Sequence, residues 1–290
     1  MTIPIENIYF LLCYAWNKLD EKDRLNVSVD GITELADLFA KILINAVKIL
    51  LKRGIDKYYL DHTDECLRIK GKIDAAQTLK RNLIFKQKII CVYDEFSENI
   101  LINQILISTI NKLIRTKALD KSLCADLAAL LRMFPPVDSI EINASVFRRI
   151  RLHRNNSFYG FLIQVCRLIY ENILPSEKQG IFEFVDFIRD DYKMSRLFEE
   201  FVRNFYRIEQ TKYHKVGRET IRWKFGNISP GDNEYLPRME TDITLENESE
   251  KIIIDTKFYR ETMSSHFDRE RVKSMNLYQL FSYLVNQEDN

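Results

Sequence analysis

The sequence is poor in residues that turn or break a chain. It has eight glycines and six prolines in 290 residues, about 5% against a usual ~12%. An all-β sandwich or barrel needs many tight turns, so this shortage argues against one and favours long helices. Apolar residues make up 46% and charged residues 29%, which is typical of a globular protein and excludes a disordered tail or a collagen.

Closely spaced metal-binding residues are also missing. The cysteines lie far apart and form no C-x-x-C, and the four histidines are equally scattered. This spacing predicts reduced thiols, no disulfide framework and no zinc site. The five cysteines are Cys13, Cys66, Cys91, Cys124 and Cys166.

No apolar run near the N-terminus is long enough for a membrane helix. The longest, Ile8–Trp16, falls short of the ~20 residues that span a bilayer. Met1–Asn7 contains Glu6 and no basic residue, which is unlike a signal peptide. We therefore expect a cytoplasmic protein with no membrane partner.

Because 43 basic residues balance 42 acidic ones, affinity for DNA must come from local patches.

Apolar periodicity predicts a helix-rich first half that contains a small β element. Pro135-Pro136 is the strongest interruption, because neither proline fits inside a helix, and we place a soft domain boundary between it and Arg154. The predicted helices are Asn7–Leu19, Ile32–Arg53, Ser97–Thr116 and Lys121–Met133, and the predicted β segments are Lys57–Leu60, Cys66–Lys70 and Leu83–Tyr93.

The second half combines helices with a predicted β-hairpin. Strands over Asp242–Glu246 and Lys251–Tyr259 flank a polar turn at Asn247–Ser249. The predicted helices here are Phe158–Asn172, Tyr192–Gln210 and Asp268–Val285. The chain as a whole is therefore predicted to be α+β, with domains over residues 1–150 and 151–290.

The predicted hairpin brings charged residues together. Asp255 and Lys257 are two apart, so they share one face of a strand. Asp255 then lies opposite either Glu240 or Asp242, depending on the register. Two carboxylates can hold Mg²⁺ or Mn²⁺, and a lysine can stabilise charge that develops on a phosphate. This set is typical of a metal-dependent phosphodiesterase, although a D-x-K alone is more often a solvated ion pair.

Two further features favour a nuclease. Asp242 precedes Asp255 by one strand–turn–strand, the spacing of the PD-(D/E)xK nuclease pattern. Gln279 and Tyr283 lie four apart on the following helix and face the same way. A Q-x-x-x-Y after D-x-K resembles the extra motif of RecB-type nucleases, whose Gln and Tyr can hydrogen-bond DNA or the lysine.

The helix before the hairpin offers acidic side chains. In the PD-(D/E)xK superfamily, an upstream helix often supplies one to the metal site. Glu199 is our candidate, with Glu200 and Glu209 as alternatives. A solvated helix face is an equally good interpretation.

Five segments, in order along the chain, resemble the McrC family. They are Ile3–Trp16, Ile69–Ile73, Leu236–Ile243, Asp255–Tyr259 and Asn276–Leu280. McrC proteins are the nuclease subunits of McrBC-type restriction systems, which act on modified DNA. The resemblance implies a helix-rich domain over residues 1–150 and a PD-(D/E)xK endonuclease domain over residues 151–290. It implies catalytic roles for Asp242, Asp255 and Lys257, with Asp242 and Asp255 as metal ligands and Gln279, Tyr283 and Glu199 in support.

The resemblance also implies partners. They are an AAA+ GTPase ring of McrB type and double-stranded DNA that carries 5-methylcytosine, with the N-terminal half docking in the ring and stimulating GTP hydrolysis. The sequence has no G-x-x-x-x-G-K-[ST], so a motor must come from another chain.

McrC proteins usually continue past the Gln–Tyr helix, whereas this chain stops at Asn290, so we expect either a truncated nuclease domain or a short family member.

Two basic stretches are candidates for contact with the partner or with DNA, and a plain solvated surface is the alternative for each. The first stretch contains Arg68, Lys70 and Lys72. The second contains Arg148, Arg149 and Arg151, followed by His153 and Arg154.

Two other functions compete with the endonuclease subunit. The first is a non-catalytic adaptor that keeps the nuclease fold only to regulate an AAA+ ring. The clustered Asp242, Asp255 and Lys257 argue against it, because a scaffold gains nothing from clustering two carboxylates. The second is a free-standing nuclease, which the long helical N-terminal half disfavours.

Overall fold

The computed structural model describes residues 3–17, 19, 32, 34–117, 119–152, 157–176, 180–224, 235–259, 263–266 and 269–287. Its mixture of helices and strands agrees with the predicted α+β class. The chain forms two compact units. Unit 1 consists of Met1–Arg24 and Asp186–Asn290, and unit 2 of Leu25–Val185.

The helices and strands are numbered in chain order. The helices are α1 (Ile5–Ala15), α2 (Leu35–Arg53), α3 (Ala75–Lys80), α4 (Leu101–Ile114), α5 (Lys121–Met133), α6 (Ala144–Arg148), α7 (Ser157–Asn172), α8 (Asp191–Glu209) and α9 (Ser274–Val285). The strands are β1 (Tyr58–Cys66), β2 (Lys72–Ile73), β3 (Ile89–Ser97), β4 (Ile173–Pro175), β5 (Phe182–Phe184), β6 (Lys215–Gly217), β7 (Thr220–Ile221), β8 (Met239–Glu240), β9 (Ile243–Glu246), β10 (Lys251–Ile254), β11 (Met263–His266) and β12 (Arg269–Val272). Within the described ranges, short 3-10 helices span Leu83–Lys86 and Phe187–Arg189.

Unit 2 is built on apolar helices. Helix α2 buries Phe39, Leu43, Val47 and Leu50 along one side, with the spacing of three to four residues that an amphipathic helix requires. Helix α5 begins where Asp120 accepts hydrogen bonds from the backbone N–H groups of the first turn. Among the described helices of the chain, none combines the length and apolar composition that crossing a bilayer requires.

A three-stranded antiparallel sheet in unit 2 has the order β1-β3-β2. The predictions of separate β segments at Lys57–Leu60 and Cys66–Lys70 were wrong, because one continuous strand, β1, pairs with β3 along its whole length. The predicted strand over Leu83–Tyr93 begins only at Ile89, since residues 83–86 form a 3-10 helix. Continuous pairing between β1 and β3 decides where these two strands begin and end, and the local residue pattern did not indicate that pairing.

Helix α1 packs on α8 inside unit 1. The Tyr14 hydroxyl donates a hydrogen bond to Glu209 at 2.6 Å, and the Asn204 amide donates to the carbonyls of Tyr14 and Ala15 at 3.1 and 2.9 Å. The compact units therefore differ from the predicted division at residue 150. The first helix belongs with the C-terminal residues because its aromatic side has its partners there.

Unit 1 contains the predicted hairpin. Strands β9 and β10 pair antiparallel, with Ile243 opposite Ile254. The Asn247 side chain shapes the turn by accepting from the N–H groups of Ser249 and Glu250, both at 2.9 Å. The hairpin prediction is confirmed, but its second strand is shorter than predicted and ends at Ile254.

The helix prediction over Asp268–Val285 was wrong at its start. Helix α9 begins at Ser274, and residues 269–272 form strand β12, which pairs with β11. Pairing with a neighbouring strand overrides the helical preference of the arginines and glutamate in this segment.

Candidate active site

The strand register brings Asp242 and Asp255 opposite each other. Ile243 pairs with Ile254 at the end of the hairpin, and Asp242 and Asp255 are the residues immediately outside this last pair. Of the two registers left open by the sequence, the structure therefore has the one with Asp242. Glu240 instead lies on β8, where it pairs with Thr220.

Asp255 is deeply buried. Its side chain is 2% exposed, and its carboxylate accepts a hydrogen bond from the Lys257 ammonium at 2.7 Å through Oδ2. The other oxygen, Oδ1, is buried and has no hydrogen-bond partner among the described residues. Burial raises the pKa of Asp255, and the charges of Asp242 and Glu199 raise it further, whereas Lys257 opposes them.

Lys257 is held in its charged form. Burial alone would lower the pKa of Lys257, but the hydrogen bond to Asp255 and the negative charges of Asp255 and Asp242 outweigh burial and raise it. Lys257 is therefore a fixed cation beside two carboxylates. The predicted proximity of Asp255 and Lys257 is present, although the strand on which it was predicted ends at Ile254.

Thr256 holds the second carboxylate. Its backbone N–H and its hydroxyl both donate to Asp242 Oδ2, at 2.7 and 2.9 Å. This contact was not predicted, because strict strand alternation would turn the Thr256 side chain away from those of Asp255 and Lys257. The regular strand ends at Ile254, so the alternation does not apply at residue 256.

Glu199 acts on Asp255 electrostatically, but two arginines bind its carboxylate. Its carboxylate accepts from Arg203 Nη1 at 3.1 Å and from Arg218 Nε at 2.9 Å. The Arg203 side chain is 8% exposed, and it also donates to the Asp242 carbonyl at 3.4 Å. The i, i+4 spacing of Glu199 and Arg203 on one helix could have signalled this pair.

The two alternative acidic residues on α8 lie in other contacts. Glu200 forms ion pairs with Arg203 and Arg218, and Glu209 accepts from Tyr14. The charge of Glu199 contributes to the raised pKa of Asp255.

Gln279 and Tyr283 face the same way, as predicted. Gln279 Nε2 donates to the Tyr283 hydroxyl at 2.7 Å, and that hydroxyl donates to the Glu240 carbonyl at 2.9 Å. Tyr283 packs with Ile221 and Met239 in a small apolar cluster. Burial raises the pKa of Tyr283, with Gln279 opposing. The pair therefore supports the strand that leads to Asp242, rather than contacting the lysine.

The donor set fits a hard divalent cation that keeps most of its water. Mg²⁺ is usually held by one or two carboxylates, with water and phosphate oxygens completing the octahedron. Asp242 and Asp255 supply two carboxylates, and the unpartnered Oδ1 of Asp255 is an oxygen that a cation would satisfy. Within the described residues, no group of three or more His, Cys, Asp and Glu side chains is arranged to hold a metal.

The first basic stretch lies on the surface of unit 2. Lys70 sits 3.8 Å from the centre of the Tyr93 ring and 3.4 Å from the Glu95 carboxylate. Arg68 and Lys72 are exposed and form no ion pair within the described ranges. The three cations are thus close in sequence, but only Lys70 is held by neighbours.

The structure divides the second basic stretch. Arg149 and Arg151 line a cleft of about 570 Å³ together with Lys57, whereas Arg148 borders a separate cleft. His153 and Arg154 lie outside the described residues. None of these contacts identifies what the stretch binds, so its role stays a prediction.

The sequence is similar to proteins of one known family. The sequence matches the family described as "McrBC 5-methylcytosine restriction system component" over residues 6–290. It is 32% identical over 282 residues to the "Type IV methyl-directed restriction enzyme EcoKMcrBC" of Escherichia coli (strain K12), covering 97% of this chain and 81% of the relative.

Two solved structures share the fold. A chain of the Thermococcus gammatolerans McrBC complex aligns with a TM-score of 0.51 and 18% identity, covering 72% of this chain and 59% of that one. A chain of the half-complex of Thermococcus gammatolerans McrB AAA+ hexamers with bound McrC aligns with a TM-score of 0.58 and 16% identity, covering 94% and 60%. The present chain spans about 60% of the length of those chains. From the family match and the Escherichia coli relative, we conclude that the chain belongs to the McrBC 5-methylcytosine restriction system component family.

Proposed function

We propose that this protein is the Mg²⁺-dependent DNA endonuclease subunit of a restriction complex that acts on double-stranded DNA carrying 5-methylcytosine. One observation carries the proposal. Asp242, Asp255 and Lys257 converge at the end of one hairpin, and an oxygen of the buried Asp255 has no hydrogen-bond partner in the described part of the chain. The family match supplies the kind of system in which the chain works.

The chemistry follows from what each side chain can hold. Asp242 and Asp255 would bind Mg²⁺, or Mn²⁺ in its place, through carboxylate oxygens. When bound, the ion polarises the scissile phosphate and lowers the pKa of an attacking water. Lys257 stays charged, so it stabilises negative charge on the phosphate and does not accept a proton. Asp255 must lose its proton before it can bind the metal.

The same proposal includes a partner. The solved structure of Thermococcus McrB AAA+ hexamers with bound McrC supports docking of this chain on an AAA+ GTPase ring, which would also select the modified base. We assign the surface of unit 2 around Arg68, Lys70 and Lys72 to that contact, where a cation could assist GTP hydrolysis as arginine fingers do. We place the complex in the cytoplasm, with the DNA on which it acts.

One observation favours the adaptor as a second candidate. Two arginines neutralise Glu199, the acidic side chain that the upstream helix would offer to a metal. An adaptor would keep the fold and stimulate the ring without cutting DNA.

Cleavage and GTP turnover, measured in one reconstituted complex, separate the two functions. The substrate is a plasmid with or without 5-methylcytosine, and the ion is Mg²⁺ or Ca²⁺. We expect the wild type to cut the methylated plasmid with Mg²⁺ and poorly with Ca²⁺, which prefers more ligands and longer bonds. We expect Asp255→Asn to abolish cutting with GTP turnover unchanged, and the exposed Asp126→Asn to behave as wild type. Stimulated GTP turnover without DNA cleavage would indicate the adaptor. A complex that shows neither GTP turnover nor DNA cleavage would contradict both candidate functions.

A further inference from the structure

We propose that Thr256 is a positioning residue that orients Asp242 for metal binding. The inference rests on the proposed function, because it concerns the same metal site. Thr256 is the middle residue of Asp255-Thr256-Lys257, where the nuclease pattern sets no residue type.

Both hydrogen bonds from Thr256 fall on one oxygen of Asp242. The backbone N–H and the hydroxyl donate to Oδ2 at 2.7 and 2.9 Å. Two donors on one oxygen fix the rotation of the carboxylate, and Oδ1 takes part in neither bond. Ligands of metal sites are commonly oriented in this way by a second group behind them.

Residues of the Asp255-Thr256-Lys257 segment hold one oxygen of each carboxylate in the proposed metal pair. Lys257 occupies Oδ2 of Asp255 at 2.7 Å, and Thr256 occupies Oδ2 of Asp242. One oxygen of each carboxylate is thus held by a neighbour from the same short segment, and Oδ1 of Asp255 is left without a partner among the described residues. The segment therefore fixes both carboxylates of the proposed metal pair.

The backbone of Asp242 is fixed independently of Thr256. The Thr241 N–H donates to the Glu219 carbonyl at 2.9 Å, and the Glu219 N–H donates to the Thr241 hydroxyl at 3.0 Å. Arg203 also donates to the Asp242 carbonyl. With the main chain held on both sides, the freedom that remains is side-chain rotation, and Thr256 removes it.

The test compares three variants of the full-length chain. Thr256→Val keeps the size and the N–H but loses the hydroxyl, and Thr256→Ser restores a hydroxyl. Thr109→Val is the matched control, because that buried hydroxyl donates to the Ile105 carbonyl of its own helix and lies beside the Cys166 thiol, all within unit 2. Mn²⁺ affinity is measured by calorimetry without DNA, and the Mg²⁺ concentration for half-maximal cleavage is measured in the complex.

We expect Thr256→Val to weaken Mn²⁺ binding by about 10- to 100-fold, the usual effect of losing a group that orients a ligand. The Mg²⁺ requirement should rise by a similar factor, so that part of the cleavage returns at high Mg²⁺. Thr256→Ser and Thr109→Val should stay near wild type. A melting curve checks each fold, and Thr256→Ala replaces the valine variant if that one is unfolded.

Wild-type Mn²⁺ affinity in Thr256→Val would overturn the inference, as would equal weakening in Thr256→Ser. Asp255→Asn, measured in parallel, separates this failure from that of the proposed function. If Asp255→Asn binds Mn²⁺ as tightly as wild type, the proposed metal site is wrong. If Asp255→Asn loses Mn²⁺ and Thr256→Val does not, only the role of Thr256 is wrong.

Discussion

The two charged regions of this molecule are built in opposite ways. In unit 1, carboxylates and a lysine converge in a buried site, where Asp255 is 2% exposed. In unit 2, the basic loop, defined as Arg68–Lys72, keeps its cations on the surface. Burying like charges side by side is costly unless they are compensated, so such a cluster indicates chemistry. Exposed cations cost little, and they fit recognition of a partner.

The basic loop nevertheless has a defined shape. Gly71 has a φ of +67°, and an added Cβ would lie 2.5 Å from the Val92 carbonyl oxygen. The Cys91 sulfur accepts from the Lys70 N–H at 3.4 Å and donates to the Arg68 carbonyl at 3.8 Å. Close packing on β3 therefore fixes this loop, whereas charge pairing fixes the site in unit 1.

Removing the lysine of the buried site should have the largest effect and separate the role of unit 1 from that of the basic loop. We expect Lys257→Met to lower the cleavage rate by about 10²- to 10³-fold, because transition-state charge loses its partner, with GTP turnover unchanged. Lys251→Met is the control. Lys251 is 26% exposed against 28% for Lys257, but it bonds Glu219 and Gln287. Equal losses in both variants would show a general effect on the sheet.

Removing the cations of the basic loop in unit 2 should instead lower GTP turnover. We expect the triple change of Arg68, Lys70 and Lys72 to Ala to lower stimulated GTP turnover by roughly tenfold or more. Any cleavage that remains should still require Mg²⁺. The measurement is turnover by the ring at saturating subunit, and Lys80→Ala is the control. Full turnover in the triple variant would assign the stimulation to other residues.

A pH series sharpens the difference between buried and exposed charge. Because burial raises the pKa of Asp255, and the metal needs its ionised form, cleavage should fall as the pH drops through that raised pKa. The loss should approach about tenfold per pH unit and begin above the ordinary aspartate value of ~3.9. Metal and proton compete for Asp255, so more Mg²⁺ should move the fall to lower pH. A profile that is insensitive to Mg²⁺ would contradict this assignment, and GTP turnover in the same series controls for the ring.

The smallest effect should come from the shape of the basic loop. We expect Gly71→Ala to lower the free energy of unfolding by about 1–3 kcal/mol, since a side chain is strained at positive φ and would clash with β3. Gly180→Ala separates strain from clash, because its φ is +78° with open space around it. Urea unfolding measures both, and equal losses would show that the approach to Val92 does not matter.

Local patterns predicted the parts of the fold that depend on neighbours in sequence. The turn at Asn247 and the shared side of Gln279 and Tyr283 follow from short-range geometry, and both are present. The start of α9 at Ser274 and the continuous strand β1 were mispredicted, because pairing with another strand decided them. Arg203 was missed because its contact with Asp242 spans 39 residues. Thr256 was missed because the regular strand ends at Ile254, so strand alternation does not apply at residue 256.

The sequence by itself determined which groups this protein has available: two aspartates and a lysine at hairpin spacing, a Gln–Tyr pair one helical turn apart, and a chain without a P-loop. Spacing along a strand or helix is set by backbone geometry, so these features can be read in advance. Only the tertiary structure decided that Asp242 rather than Glu240 faces Asp255, that one Asp255 oxygen is buried without a partner in the described residues, and that α1 packs on α8. Register, burial and packing depend on contacts between distant segments, and no local pattern carries them.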